Sequence, residues 1–137
     1  MNSPDRGAAA GAAVVDTSVF IALESRRPLD RSKMTSDVCV SVITIGELRA
    51  GVLSAPDARS RARRLETLTR AMRLEPLPID RSVAERWAEL RALLREGDRR
   101  MKANDSWIAA TAMAHGIPVI TQDGDFVEGL GFEIIRV

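Results

Sequence analysis

One cysteine, one histidine and no tyrosine occur among the 137 residues. Each scarcity removes a chemistry. The lone thiol, Cys39, closes no internal disulfide, and its place in the apolar run Val38, Val40, Val42 reads as a buried structural residue of a reducing compartment. The lone imidazole, His115, stands before Gly116 at the predicted end of a helix. Without a suitably placed second His, neither a Ser/His/Asp nor a Cys/His nucleophile system can be assembled. No glycine-rich phosphate loop is present. No apolar stretch nears the ~20 residues needed to span a bilayer. The opening MNSPDRGAAAGAAVV carries only small apolar residues and runs straight into Asp16, so residues 1–12 read as a flexible tail and not as a secretion signal. The cytoplasm is the expected location.

What is present fits one domain, residues 13–137, of ordinary globular composition: 45% hydrophobic, 28% charged, formal net charge +1. There is no internal repeat. Short β-branched runs alternate with longer helical patterns, the signature of a parallel sheet wrapped by helices. Strands are expected at Ala13–Val15, Val38–Val42, Val119–Thr121 and Glu133–Arg136, with a weak one near Glu75–Pro78. Helices are expected over Ser18–Glu24, from a cap at Thr44 to Gly51, over Asp57–Met72, over Ser82–Leu94 ending at Gly97, and from a cap at Asn104 to Gly116. The periodicity assigns Leu65, Leu68 and Met72 to one buried face, and Val83, Trp87, Leu90 and Leu94 to another. The fold class is α/β, a short parallel sheet between helical layers.

Ligands of an open α/β sheet bind beyond the carboxyl ends of the strands, where the strand order reverses. Asp16 ends the first strand, Glu47 lies one turn into the helix after the second, Asp105 opens its helix, and Asp123 follows Ile120 within three residues. Each acid alone has a plain reading as a cap, a solvated helix residue or a turn former around Gly124. Together they converge on one edge. Two carboxylates about 4 Å apart repel by roughly 4 kcal/mol at an effective dielectric near 20, and helix N-termini return only ~0.3–1 kcal/mol each. Either some acids stay protonated or a cation sits among them. Oxygen-only ligation points to Mg²⁺ or Mn²⁺, and a water activated by such an ion points to phosphodiester hydrolysis.

The segments VVDTSVFIALE, ITIGELRAGV, NDSWIAATA and VITQDGDF resemble, in order and spacing, the PIN-domain family, and most closely its VapC branch of toxin–antitoxin ribonucleases. The likeness runs from Val14 to the C-terminus. It implies a PIN-like three-layer fold and Mg²⁺- or Mn²⁺-dependent endonucleolytic cleavage of RNA leaving a 5′-phosphate. It also implies a homodimer, and inhibition by a VapB-type antitoxin in a heterotetramer or larger complex. Carried over, Asp16, Glu47, Asp105 and Asp123 are the catalytic acids and metal ligands, with Asp125 as an alternative or additional ligand. Thr17, Ser18, Asn104 and Thr121 are supporting neighbours.

Eighteen of the 20 basic residues are Arg, since only Lys33 and Lys102 are lysines. They gather at Arg59, Arg61, Arg63, Arg64, Arg70 and Arg73 and again at Arg91, Arg95, Arg99, Arg100 and Lys102. Arg99, Arg100 and Lys102, just before Asp105, are the favoured contacts for RNA or antitoxin. With three Phe and two Trp, a stacking platform for single strands is not available, and a folded RNA read by shape and backbone fits better. Two rival functions exist. A phosphoacceptor signalling domain would need an acidic pair after the first strand and a lysine at a later strand end. A PIN-like module without nuclease activity, acting on nucleic acid through its antitoxin, would not need all four acids.

Overall fold

The computed structural model describes residues 11–137. Four parallel strands, β1 (Ala12–Val15), β2 (Asp37–Cys39), β3 (Val119–Thr121) and β4 (Ile134–Arg136), lie in the order β2-β1-β3-β4. The chain leaves β1 for β2 on one side and returns for β3 on the other. The order therefore reverses between β1 and β3. Most of the expected N-terminal tail lies outside the described residues, and Ala12, assigned to it, belongs to β1.

Five helices pack on this sheet: α1 (Thr17–Glu24), α2 (Val42–Leu53), α3 (Ala58–Met72), α4 (Arg81–Glu96) and α5 (Ala103–His115). A single 3₁₀ turn, Arg31–Lys33, precedes β2. Alternation along the strands divides the core in two. Ala13, Val15 and Ile120 face α1, α2 and α3, where Val19, Leu48, Val52 and Leu68 are buried. Val14 and Val119 face α4 and α5, where Leu90, Leu94, Ile108 and Ala109 are buried. This is the expected three-layer arrangement.

Side-chain caps fix the helix starts. Asp16 accepts from the Ser18 N–H, Asp57 from Ser60 at 2.7 Å and Asp80 from Val83 at 3.0 Å. Gly116, at φ 65°, ends α5 in the left-handed conformation that costs glycine least. Two expected caps are wrong. Ser41, not Thr44, caps α2 by accepting from Ile43 at 3.0 Å, so Val42 belongs to the helix and β2 stops at Cys39. The N-cap of α5 is Lys102, with no side-chain cap bond; Asn104 lies inside the first turn.

The expected strand at Glu75–Pro78 reduces to one bridge, Ser41 to Leu77. Pro76 and Pro78 have no N–H with which to extend it. Of the expected α3 face Leu68 is buried, joined by Thr67 and Ala71, whereas Leu65 and Met72 are exposed. Trp87 is half-buried, stacked on Trp107 with ring centroids 4.4 Å apart and 5° between planes, and its indole N–H donates to Ser106 Oγ at 3.0 Å. These contacts tie α4 to the first turns of α5.

Candidate functional site

The reversal point between β1 and β3 carries a dense polar network. Asp16 is 2% exposed, although it is the residue with which β1 gives way to α1. Its Oδ2 accepts from Ser18 Oγ at 2.6 Å and from Thr121 Oγ1 at 2.9 Å. Both hydroxyls are spoken for on their acceptor side too. Ser18 Oγ receives the Gln122 N–H at 2.9 Å, and Thr121 Oγ1 receives the Asp123 N–H at 2.8 Å. Each hydroxyl thus donates to the carboxylate and accepts from the loop after β3, so the first acid and the loop bearing the last ones are set by the same two side chains. Burial pushes the Asp16 carboxyl above its ordinary range, against the downward pull of the Ser18 and Thr121 hydroxyls and the Ser18 and Thr17 amides.

Glu47 bridges the cleft. Its Oε1 accepts from Thr17 Oγ1 at 2.6 Å on α1, and its Oε2 accepts from Asn104 Nδ2 at 3.1 Å on α5. Thr17 is itself 2.8 Å from the hydroxyl of buried Thr44. A Thr inside an apolar helix face reads as a cap in sequence; here its hydroxyl supports the residue that holds Glu47.

Asp105 is the most strained of the acids electrostatically. It is 7% exposed, and its Oδ2 is the one fully buried side-chain oxygen or nitrogen without a hydrogen-bond partner among the described residues. Burial raises its pKa to about 7, with further upward pushes from Asp16, Asp123 and Glu47 and a smaller opposing pull from Lys102. The other three expected acids are therefore all within electrostatic range of Asp105. Among the described residues, however, no three His, Cys, Asp or Glu side chains stand close enough together to hold a metal ion.

Asp123 and Asp125 separate clearly. Asp123 is half-buried, pushes on Asp105, and accepts the Asp125 N–H on Oδ1 at 2.8 Å. Asp125 is exposed and pairs with Lys102 at 3.2 Å. Lys102 consequently belongs to the mouth of the acidic cleft, apart from Arg99 and Arg100. Two further residues position this loop. Arg136 donates to the carbonyls of Asp123 and Phe126 at 2.9 and 3.0 Å, and Gln122 Nε2 donates to Pro28 and Val137 at 2.7 and 3.1 Å. Neither stands out in sequence, since Arg136 reads only as part of a strand.

Away from the cleft, Cys39 donates to the Ala13 carbonyl at 3.5 Å, and burial, then Asp37, pushes its thiol up to about 11. It stays a thiol at neutral pH. His115 is exposed in the last turn of α5, at the far end of that helix from Asp105. In the α3 cluster Arg64 donates to the Gly51 carbonyl at 2.7 Å and Arg70 pairs with Glu66 at 3.0 Å. No helix among the described residues is long and apolar enough to cross a membrane.

The PIN domain family model matches residues 13–129. Ribonuclease VapC5 of Mycobacterium tuberculosis is 49% identical over 129 residues, which cover 92% of this chain and 96% of that protein. Among solved structures, VapBC-5 of Mycobacterium tuberculosis superposes with a TM-score of 0.86 at 46% identity, covering 93% of this chain and 99% of the other. DNA-bound VapBC from Salmonella typhimurium gives a TM-score of 0.77 at 26% identity, with 92% and 98% covered.

Proposed function

The chain belongs to the PIN-domain family, and on that premise we propose that it is a VapC-type endoribonuclease, the toxin of a toxin–antitoxin pair, cutting RNA with a divalent cation held by Asp16, Asp105 and Asp123. The observation that carries the metal assignment is Asp105 Oδ2, a sealed and unpartnered oxygen in the first turn of α5 with three other carboxylates in electrostatic range. A buried carboxylate oxygen that no protein donor satisfies suits a hard cation. The donor set is all oxygen, with no Cys or His beside it, which fits Mg²⁺ or Mn²⁺ over softer metals. Bound there, the ion supplies Lewis acidity: it acidifies a water and offsets the charge that develops on a phosphoryl oxygen.

The rest is the work of the chain's own residues. Asp16 and Asp105 present oxygens from opposite walls of the cleft, Asp16 locked by Ser18 and Thr121. Glu47, held at both oxygens by Thr17 and Asn104, orients the attacking water and accepts its proton. Asp123 completes the set, while Asp125 and Lys102 at the mouth balance charge and meet the incoming backbone. Burial of Asp16 and Asp105 strengthens the charge interactions they make.

The partner is a VapB-type antitoxin, as in the VapBC complexes this fold matches, and the active assembly is a homodimer that becomes a heterotetramer or larger with antitoxin. Action on RNA places it in the cytoplasm. To test the reading, the antitoxin-free protein is incubated with total cellular RNA in Mg²⁺, Mn²⁺ or EDTA, and new 5′ ends are mapped. Defined 5′-phosphate ends that need the ion and disappear with Asp105→Ala support it; identical end maps from both proteins overturn it.

A further inference from the structure

Where α4 ends and the chain turns toward α5, Arg91, Arg95, Arg99 and Arg100 line one cavity of about 320 Å³. Its floor is apolar, made by buried Leu94 and Met101. Among the described residues none of these four guanidiniums pairs with a carboxylate, although Arg70, Arg81, Arg86 and Arg136 each do. Two are held by uncharged partners instead. Arg91 lies over the Trp87 ring, 5.6 Å from its centroid, and Arg99 Nη1 donates to the Glu128 carbonyl at 3.0 Å. The carboxyl end of α4 favours cations in its last turn, which accounts for Arg95. It does not account for Arg99 and Arg100, which lie beyond the helix end and share the same hollow.

Four like charges around an apolar-floored hollow repel one another, and an anion relieves that repulsion. Arginine's planar fork matches phosphate in two-point geometry, where lysine offers only a point charge. We propose that this cavity is a backbone-phosphate subsite of the RNA substrate, set beside the carboxylate cleft; the assignment rests on the ribonuclease reading. Its connections favour RNA over an acidic protein segment. Arg100 and Met101 lead directly into the first turn of α5, which carries Asp105. Through the Glu128 carbonyl, Arg99 braces the loop that carries Asp123 and Asp125. The cavity is thus tied to the helix of Asp105 and to the loop of Asp123, and a strand with one phosphate seated here would be directed past Lys102 toward those acids. The basic group before Asp105 divides accordingly: Arg99 and Arg100 bind backbone at a distance, while Lys102 works at the cleft mouth.

The test measures binding of a fluorescently labelled hairpin RNA by anisotropy across a salt series, with Asp105→Asn in every protein so that nothing is cut. Arg95→Ala with Arg100→Ala should weaken binding at low salt several-fold and reduce the slope of log K against log salt by about 0.7–0.9 for the phosphate released. Arg95→Lys with Arg100→Lys should keep the slope but lose affinity, because charge remains and the fork does not. Arg61→Ala with Arg63→Ala removes two exposed charges from α3 and should leave the slope unchanged. All these side chains are exposed, so the urea midpoints should match. Equal slope losses from the α3 pair and the cavity pair would mean diffuse attraction and overturn the subsite. Loss of antitoxin binding with an intact RNA slope would give the cavity to the protein partner and overturn it as well. An Asp105→Asn protein that binds no RNA, beside a wild type that cuts none, would remove the ribonuclease reading itself.

Discussion

Replacing Asp105 with Asn in metal-free protein should stabilise the fold at alkaline pH while removing activity. Asp105 has a pKa of about 7 in the folded chain against 3.8 for the unperturbed group. Between those values the native state holds a proton that the unfolded state has released. Stability contributed by this group is therefore present below the unfolded pKa, falls as pH rises through the window, and is fully lost above pH 7. Integrated between the two values, the loss reaches about 4 kcal/mol in the alkaline limit, more than half of it between pH 5 and pH 8. Only Oδ2 is sealed from solvent without a partner, so screening at the other oxygen lowers the expected figure for that interval to about 2 kcal/mol.

Asn cannot ionise, and any cost of its buried amide, about 1–3 kcal/mol, is independent of pH. The difference between the two pH values is thus the clean quantity. Urea unfolding in EDTA at pH 5 and pH 8 should show the Asn variant gaining about 2 kcal/mol on wild type across that interval. Asp16, also raised by burial, adds a slope of the same sign to both proteins. An Asn-minus-wild-type difference that stays constant with pH would mean Asp105 titrates normally and the acids do not crowd.

Thr121→Val keeps the side-chain volume but removes the donor to Asp16 Oδ2 and the acceptor of the Asp123 N–H. Urea unfolding should register a loss of about 1–3 kcal/mol, with RNA cleavage reduced more than tenfold; wild-type activity in Thr121→Val would make the hydroxyl merely structural. Arg136→Met frees the Asp123 and Phe126 carbonyls. Amide exchange should quicken across residues 122–128 and half-saturation by Mn²⁺ should rise, and unchanged exchange in that loop would dismiss Arg136 as its clasp.

Much of the site was legible because it sits at element boundaries. Asp16 must follow β1, and Asp105 must open a helix, whichever residue caps it, so the alternation of strands and helices alone sends both to one edge. Glu47 reaches the cleft although Ser41 and not Thr44 caps its helix, since a shift of three residues leaves it near the start of the same helix. What stayed hidden depends on pairings across the sequence. No periodicity shows that Thr44 meets Thr17, that Asn104 reaches Glu47 instead of capping, or that Arg136 secures a loop ten residues upstream. That Lys102 pairs with Asp125 and not with Asp123 is likewise supplied only by the fold. On α3 only Leu68 of the expected face is buried, because a Leu-and-Met stripe outweighs Ala71 in a hydropathy pattern although Ala71 is the residue fully covered.

The most direct measurement is Mn²⁺ binding itself. Manganese is titrated at pH 8 into wild type, Asp105→Asn, Asp123→Asn and Asp125→Asn, and the free ion is followed by room-temperature electron paramagnetic resonance. The prediction is saturable depletion of free Mn²⁺ by wild type and Asp125→Asn, with sharply weaker depletion by the other two. Superimposable free-ion curves for all four proteins would contradict the claim that Asp105 and Asp123 hold a divalent cation.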